Sequence, residues 1–130
     1  MRPVGQKIEL FVDDLAVSLE FYRRVLGFDA DGATGGHLTL TNGPVVIALD
    51  RFDQIPASHH LKRSPAAPRG IGVEFCLYVE EAELDLWYAR ARRESSLPVE
   101  PLQLRSWGAR DFRVIDPDGY YIRVSGPRPD

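Results

Sequence analysis

A strand, an acidic turn and an amphipathic helix follow one another twice in this chain, and that recurrence limits the fold more than any other feature. Val12, Asp13, Asp14 and Leu15 align with Val79, Glu80, Glu81 and Ala82, 67 residues later. Alternating residues precede each copy. Ile8, Leu10 and Val12 share one face of the first run, while Lys7, Glu9 and Phe11 share the other. In the second run Val73, Phe75, Leu77 and Val79 alternate with Glu74, Cys76 and Tyr78. Asp13 or Asp14 then offers an N-cap, and Leu15, Leu19, Tyr22 and Leu26 recur at helical spacing until Gly27 stops the helix. The second helix is expected over Glu80–Glu94, with acidic residues in its first turn suited to the macrodipole.

Hairpins complete both halves. His37–Thr41 and Val45–Asp50 are joined at Asn42 and Gly43, with room for a further short strand near residues 29–34. In the second half, strands are expected near Leu102–Ser106, Phe112–Asp116 and Tyr120–Ser125. The last two are joined by a tight turn of Asp116, Pro117, Asp118 and Gly119. Residues 51–70 hold three prolines and no clear period, which reads as a linker or lid. The expected class is α+β: a single domain, 1–130, of two βαβββ modules, about 1–55 and about 71–130.

Composition narrows the function. A chain of 130 residues with 44% hydrophobic content can bury a real core. Residues 1–65 carry seven basic and eight acidic side chains, and residues 66–130 carry nine and eleven. No basic stripe emerges, so nucleic acid is not an expected partner. No apolar run is long enough for a membrane span and the N-terminus has no signal-peptide core, so a cytoplasmic location is expected. The lone Cys76 excludes an intrachain disulfide and a cysteine zinc site.

The run from Trp107 to Ser125, taken with the strand-to-helix unit Phe11–Phe28, resembles the vicinal-oxygen-chelate superfamily of glyoxalases, dioxygenases and bleomycin-resistance proteins. The resemblance covers nearly the whole chain in pattern. It implies two modules forming a curled mixed sheet around a cleft, with metal ligands pointing inward from paired strands. The four chelate positions fall here on Lys7, Glu74, Arg123 and Ile47, or Ala48 after a one-residue slip. Lysine and arginine present donors and no lone pair, so a single carboxylate remains and no metal or cofactor is expected. His37, His59 and His60 are conceivable replacements, but His59 and His60 are adjacent within the linker. Lys7, Glu74 and Arg123 suggest instead a charge cluster in the cleft: a structural ion pair, or an anchor for a ligand oxygen.

Aromatic side chains share those faces: Phe11 with Lys7 and Glu9, Tyr78 with Glu74, and Tyr121 with Arg123. Metal-free drug-binding relatives carry a WG-x-R-x-F pattern that this chain matches with Trp107, Gly108, Arg110 and Phe112. In such proteins the tryptophan stacks on planar drug. The resemblance implies a non-enzymatic protein that sequesters an aromatic natural-product antibiotic of bleomycin, mitomycin or quinoxaline type. The expected ligand contacts are Lys7, Glu9, Phe11, Glu74, Tyr78, Trp107, Arg110, Phe112, Tyr121 and Arg123. The alternative is a metal-independent lyase, isomerase or cyclase with Glu74 as base. Open sheet edges lead to the further expectation of a homodimer.

Overall fold

The computed structural model describes residues 1–62 and 68–127, and only the backbone of 32–34. Part of the expected linker, residues 63–67, lies outside the described residues; the flanking chain forms short 3-10 turns at Phe52–Gln54 and His60–Lys62. Two compact units emerge. One takes in Met1–Arg23 and continues from Gly27; the other takes in Arg24–Leu26 and resumes at Pro68.

The first unit contains strand β1 (Ile8–Val12), most of helix α1 (Leu15–Leu26), and strands β2 (Asp29–Thr34), β3 (His37–Asn42) and β4 (Val45–Arg51). Asp14 caps α1, its side chain accepting from the backbone N–H of Ala16 at 2.9 Å and Val17 at 3.1 Å. Gly27 ends the helix in the left-handed region at φ 70°, where a side chain would be strained. β4 runs parallel to β1 and antiparallel to β3, giving the sheet order β1-β4-β3-β2. Gly43 and Pro44 form the two-residue link of the β3–β4 hairpin, so Asn42 faces Val45 and His37 faces Asp50. Leu10, Val12, Leu40, Ile47 and Leu49 are buried, on one face of this sheet by the register. Glu9, Ala48 and Thr39 share the opposite face.

The second unit repeats the plan with β5 (Glu74–Tyr78), α2 (Leu84–Glu94), β6 (Val99–Leu104), β7 (Arg110–Ile115) and β8 (Tyr121–Ser125), in the order β5-β8-β7-β6. The largest departures from the sequence expectation are the starts of α2 and β6. A 3-10 turn at Glu81–Glu83 precedes α2, whose N-cap Glu83 makes no side-chain capping hydrogen bond. β6 begins at Val99, and its pairing with β7 is interrupted between Glu100 and Gln103, where Pro101 is tolerated in an edge strand. α2 lies against β6, β7 and β8. Its buried Leu84 and Ala91 join a core that includes Phe75, Phe112, Val114, Ile122 and Val124.

The final turn is fixed from three sides. Asp116 Oδ1 accepts from the N–H groups of Asp118 at 2.9 Å and Tyr120 at 2.8 Å. Arg69 donates to Asp118 at 2.8 Å. Gly70 comes so close that a Cβ there would stand 2.5 Å from the Gly119 carbonyl oxygen. Among the described residues, no helix is long and apolar enough to cross a membrane.

Candidate functional site

The open face of the second sheet follows from its register. Glu74, Cys76 and Tyr78 on β5 pair with Tyr121, Arg123 and Ser125 on β8, and these with Ile115, Arg113 and Asp111 on β7. Directly paired residues project to the same side of a sheet, so this face is dense in charge. Asp111 is fully buried and accepts from Arg105 Nε at 2.7 Å and Arg113 Nη1 at 3.3 Å. Arg113 Nε donates to Glu74 Oε1 at 3.1 Å, and Arg123 Nε approaches the same oxygen at 3.4 Å. The chain Arg105–Asp111–Arg113–Glu74–Arg123 holds three guanidinium groups against two carboxylates, and Arg123 is its outermost link.

Arg123 opens onto a cavity of about 770 Å³, lined by Tyr78, Glu81, Trp107, Arg123, Ser125 and Pro127, with Gly108 and Ala109 at its rim. That volume suits a drug-sized molecule. Trp107 stands at the tip between β6 and β7, where Gly108 N–H bonds to the Arg105 carbonyl at 3.0 Å and Gly108 takes φ 92°. The tight tip presents the indole to solvent: Trp107 is 59% exposed. The Arg123 guanidinium carbon lies 5.9 Å from the indole centroid, within cation–π range. Tyr78, 47% exposed, adds a second aromatic wall.

Other expected contacts take different roles. Phe112 is a correction. It is wholly buried, with Tyr88 at 5.3 Å between ring centroids, because even-numbered β7 residues face the core. Arg110 is absent from the cavity lining; it grips Glu81 at 2.7 Å and Asp85 at 3.3 Å and so positions a wall residue. Those acidic partners, Asp85 foremost, raise the Arg110 pKa above its ordinary value. Tyr121 donates its hydroxyl to Glu100 at 2.5 Å. Desolvation, reinforced by that carboxylate, pushes the phenol up to about 12.

Of the expected cluster of Lys7, Glu74 and Arg123, the pair of Glu74 with Arg123 stands in the second unit. Lys7 pairs with Glu9 at 3.0 Å, whereas the second cation on Glu74 is Arg113. Sequence reading missed Arg113, Asp111, Arg105, Glu81 and Ser125. Arg113 was within reach, since the turn at Asp116–Gly119 sets the β7–β8 register and places it opposite Arg123. Phe11 lies 5.6 Å from His59 between ring centroids, in the first unit.

The register also decides the fourth chelate position. Cys76 faces Arg123 in the second sheet as Glu9 faces Ala48 in the first, so Ala48 is the counterpart and Ile47 points into the core. The four positions are then Lys7, Ala48, Glu74 and Arg123, with the one carboxylate engaged by two guanidinium groups. Two cations and a methyl group supply no lone pairs, so these residues do not fit the family's metal.

Comparison with solved structures agrees with this architecture. A glyoxalase/bleomycin resistance protein/dioxygenase from Nocardioides superposes with a TM-score of 0.80 at 23% identity, covering 97% of this chain and 84% of that one. Lactoylglutathione lyase from Agrobacterium tumefaciens gives 0.73 at 25% identity, covering 97% and 96%. The genomically encoded fosfomycin resistance protein FosX from Listeria monocytogenes gives 0.74 at 14% identity, covering 98% and 96%. Comparison with curated proteins yields no significant match. The family model described as Glyoxalase/Bleomycin resistance protein/Dioxygenase superfamily matches residues 6–124. With two βαβββ modules of identical strand order and a family match over nearly its whole length, the chain belongs to the glyoxalase/bleomycin resistance protein/dioxygenase superfamily.

Proposed function

We propose that this protein binds and sequesters a planar aromatic natural product, an antibiotic of bleomycin, mitomycin or quinoxaline type, without transforming it, and that it does so in the cytoplasm. One observation carries the reading: an exposed indole, Trp107, stands over Arg123 at the wall of a drug-sized cavity. A flat ring stacked on that indole gains quadrupole-matched contact as well as burial, at roughly 25 cal/mol per Å² of apolar area before ordering costs. Arg123 supplies a directional donor for a carbonyl, carboxylate or phenolate oxygen on the ligand. The resistance protein among the similar folds agrees with a defensive role.

The competing reading, a metal-independent lyase, isomerase or cyclase with Glu74 as base, draws support from the likeness to a lactoylglutathione lyase. Its difficulty is local. Glu74 Oε1 already faces Arg113 and Arg123, and taking a proton there would weaken both pairs. The test is fluorescence titration with mitomycin, bleomycin and a quinoxaline peptide. A bound ligand should quench Trp107, and Trp107→Ala should weaken binding by about 1–3 kcal/mol while Trp107→Phe retains part of it. Equal affinity in Trp107→Ala would refute the assignment. Mass spectrometry of ligand incubated with parent and with Glu74→Gln separates the readings: a product formed by the parent alone would establish the enzyme.

A further inference from the structure

The first sheet carries a different constellation. We propose that Glu9, His37 and Asp50, on the open face of β1, β3 and β4, form a binding site for one divalent transition-metal ion of borderline softness, such as zinc or cobalt(II). Each offers one ligand atom, and the three atoms lie within 4.8 Å of one another. The arrangement follows from register. Asp50 faces His37 across the β3–β4 hairpin and Phe11 across β1, while Glu9 sits two residues before Phe11 on the same side of its strand. The residue facing Glu9 on β4 is Ala48, whose methyl group leaves the space between the two carboxylates clear of a larger side chain.

The donor set points to the class of ion. An imidazole nitrogen with two carboxylate oxygens suits zinc, cobalt, nickel or manganese, whereas calcium needs six to eight oxygens and copper(I) prefers sulfur. Bonds of about 2.0 Å at the tetrahedral angle put ligand atoms about 3.3 Å apart. His37 Nδ1 and Asp50 Oδ1 already stand at 2.7 Å, so Glu9 supplies most of the remaining adjustment. Glu9 is exposed, whereas His37 and Asp50 are part-buried. Three protein ligands leave a fourth position for water or a ligand oxygen.

This site is not the family's. It lies two residues beyond Lys7 on β1 and beyond Ala48 on β4, and it adds a residue of β3. The second sheet has no equivalent. Register places Cys76, Asp111 and Ser125 at the matching positions, and Asp111 is occupied by two arginines. Lys7 is the built-in competitor, its ammonium 3.0 Å from a Glu9 oxygen. Metal must displace it, so removing that charge should help binding.

The experiment is calorimetric titration of untagged, metal-stripped protein with zinc, followed by cobalt(II) and mapping of paramagnetic broadening by NMR. One equivalent should bind, with broadening centred on residues 9, 37 and 50. His37→Ala and Asp50→Asn should each weaken binding at least tenfold, and Lys7→Gln should bind at least as tightly as the parent. His59→Ala and His60→Ala, which remove the other imidazoles, should leave affinity unchanged. An amide spectrum confirms that each variant is folded; Glu9→Gln, altering an exposed side chain, repeats the test should the part-buried pair prove structurally necessary. Failure to bind zinc at millimolar concentration, or loss of binding in His60→Ala with retention in His37→Ala, would overturn the proposal.

Discussion

Asp111 shows how much a single side chain can decide. Its carboxylate is fully buried and answers Arg105 and Arg113, while its second oxygen has no hydrogen-bond partner among the described residues. A buried carboxylate is tolerable only while its cations are present, and the reverse holds for the cations. Asp111→Asn should therefore destabilise the protein by about 3 kcal/mol, read as a shift in the urea midpoint. An unchanged midpoint would show that the arginines find solvent without it. Tyr121 gives a spectroscopic counterpart. Its phenol ionises near 12 in the folded protein against an ordinary 10, so the folded state favours the neutral form. The resulting stability is fully present below pH 10 and is lost as pH rises through 12. Ultraviolet titration should show a tyrosine step near pH 12, and Tyr121→Phe should remove it. Of these residues, Tyr121 and Arg123 were legible in the sequence as neighbours on one strand face. Asp111 was not, because its importance comes from Arg105 across a hairpin, and local alternation says nothing of which charge ends up buried.

At the scale of elements, most of the plan was visible in the residues. Asp14 and Gly27 bracket α1 as their chemistry requires, and Asp14→Ala should cost about 1 kcal/mol, measurable by thermal unfolding. The turn that closes β7 onto β8 is more demanding. Gly70 takes φ 79°, and a Cβ there meets the Gly119 carbonyl oxygen at 2.5 Å and the Tyr120 Cα at 2.8 Å. Both obstacles are backbone and cannot rotate aside. Gly70→Ala should destabilise by about 2 kcal/mol or more, against a few tenths for Gly5→Ala, where a Cβ meets open space. No sequence pattern marks Gly70, since its constraint is a contact with a segment 49 residues away. Edge strand β6 was read three residues late for a related reason: its proline obscures the alternation.

For the whole molecule, duplication was the strongest signal in the sequence, and it reappears as two four-stranded sheets of identical order. The site was less legible. Trp107, Tyr78 and Arg123 were identified and do line one cavity, whereas Phe112 belongs to the core and Arg110 braces Glu81. Lys7, Glu9 and Phe11 belong to the first unit. Each open sheet ends in two edge strands, and we propose that a second copy of the chain covers part of that exposed edge. Light scattering at high micromolar concentration should then give twice the monomer mass; a monomer throughout would refute it. The matching strand orders carry one more consequence. Each sheet completes its backbone ladder from its own strands, so a residue exchanged on one open face leaves the other ladder untouched. Alanine stands in one half where arginine stands in the other, and histidine answers aspartate in the same way. One strand plan thus carries two different open faces, each free to take its own chemistry without disturbing the ladder of the other.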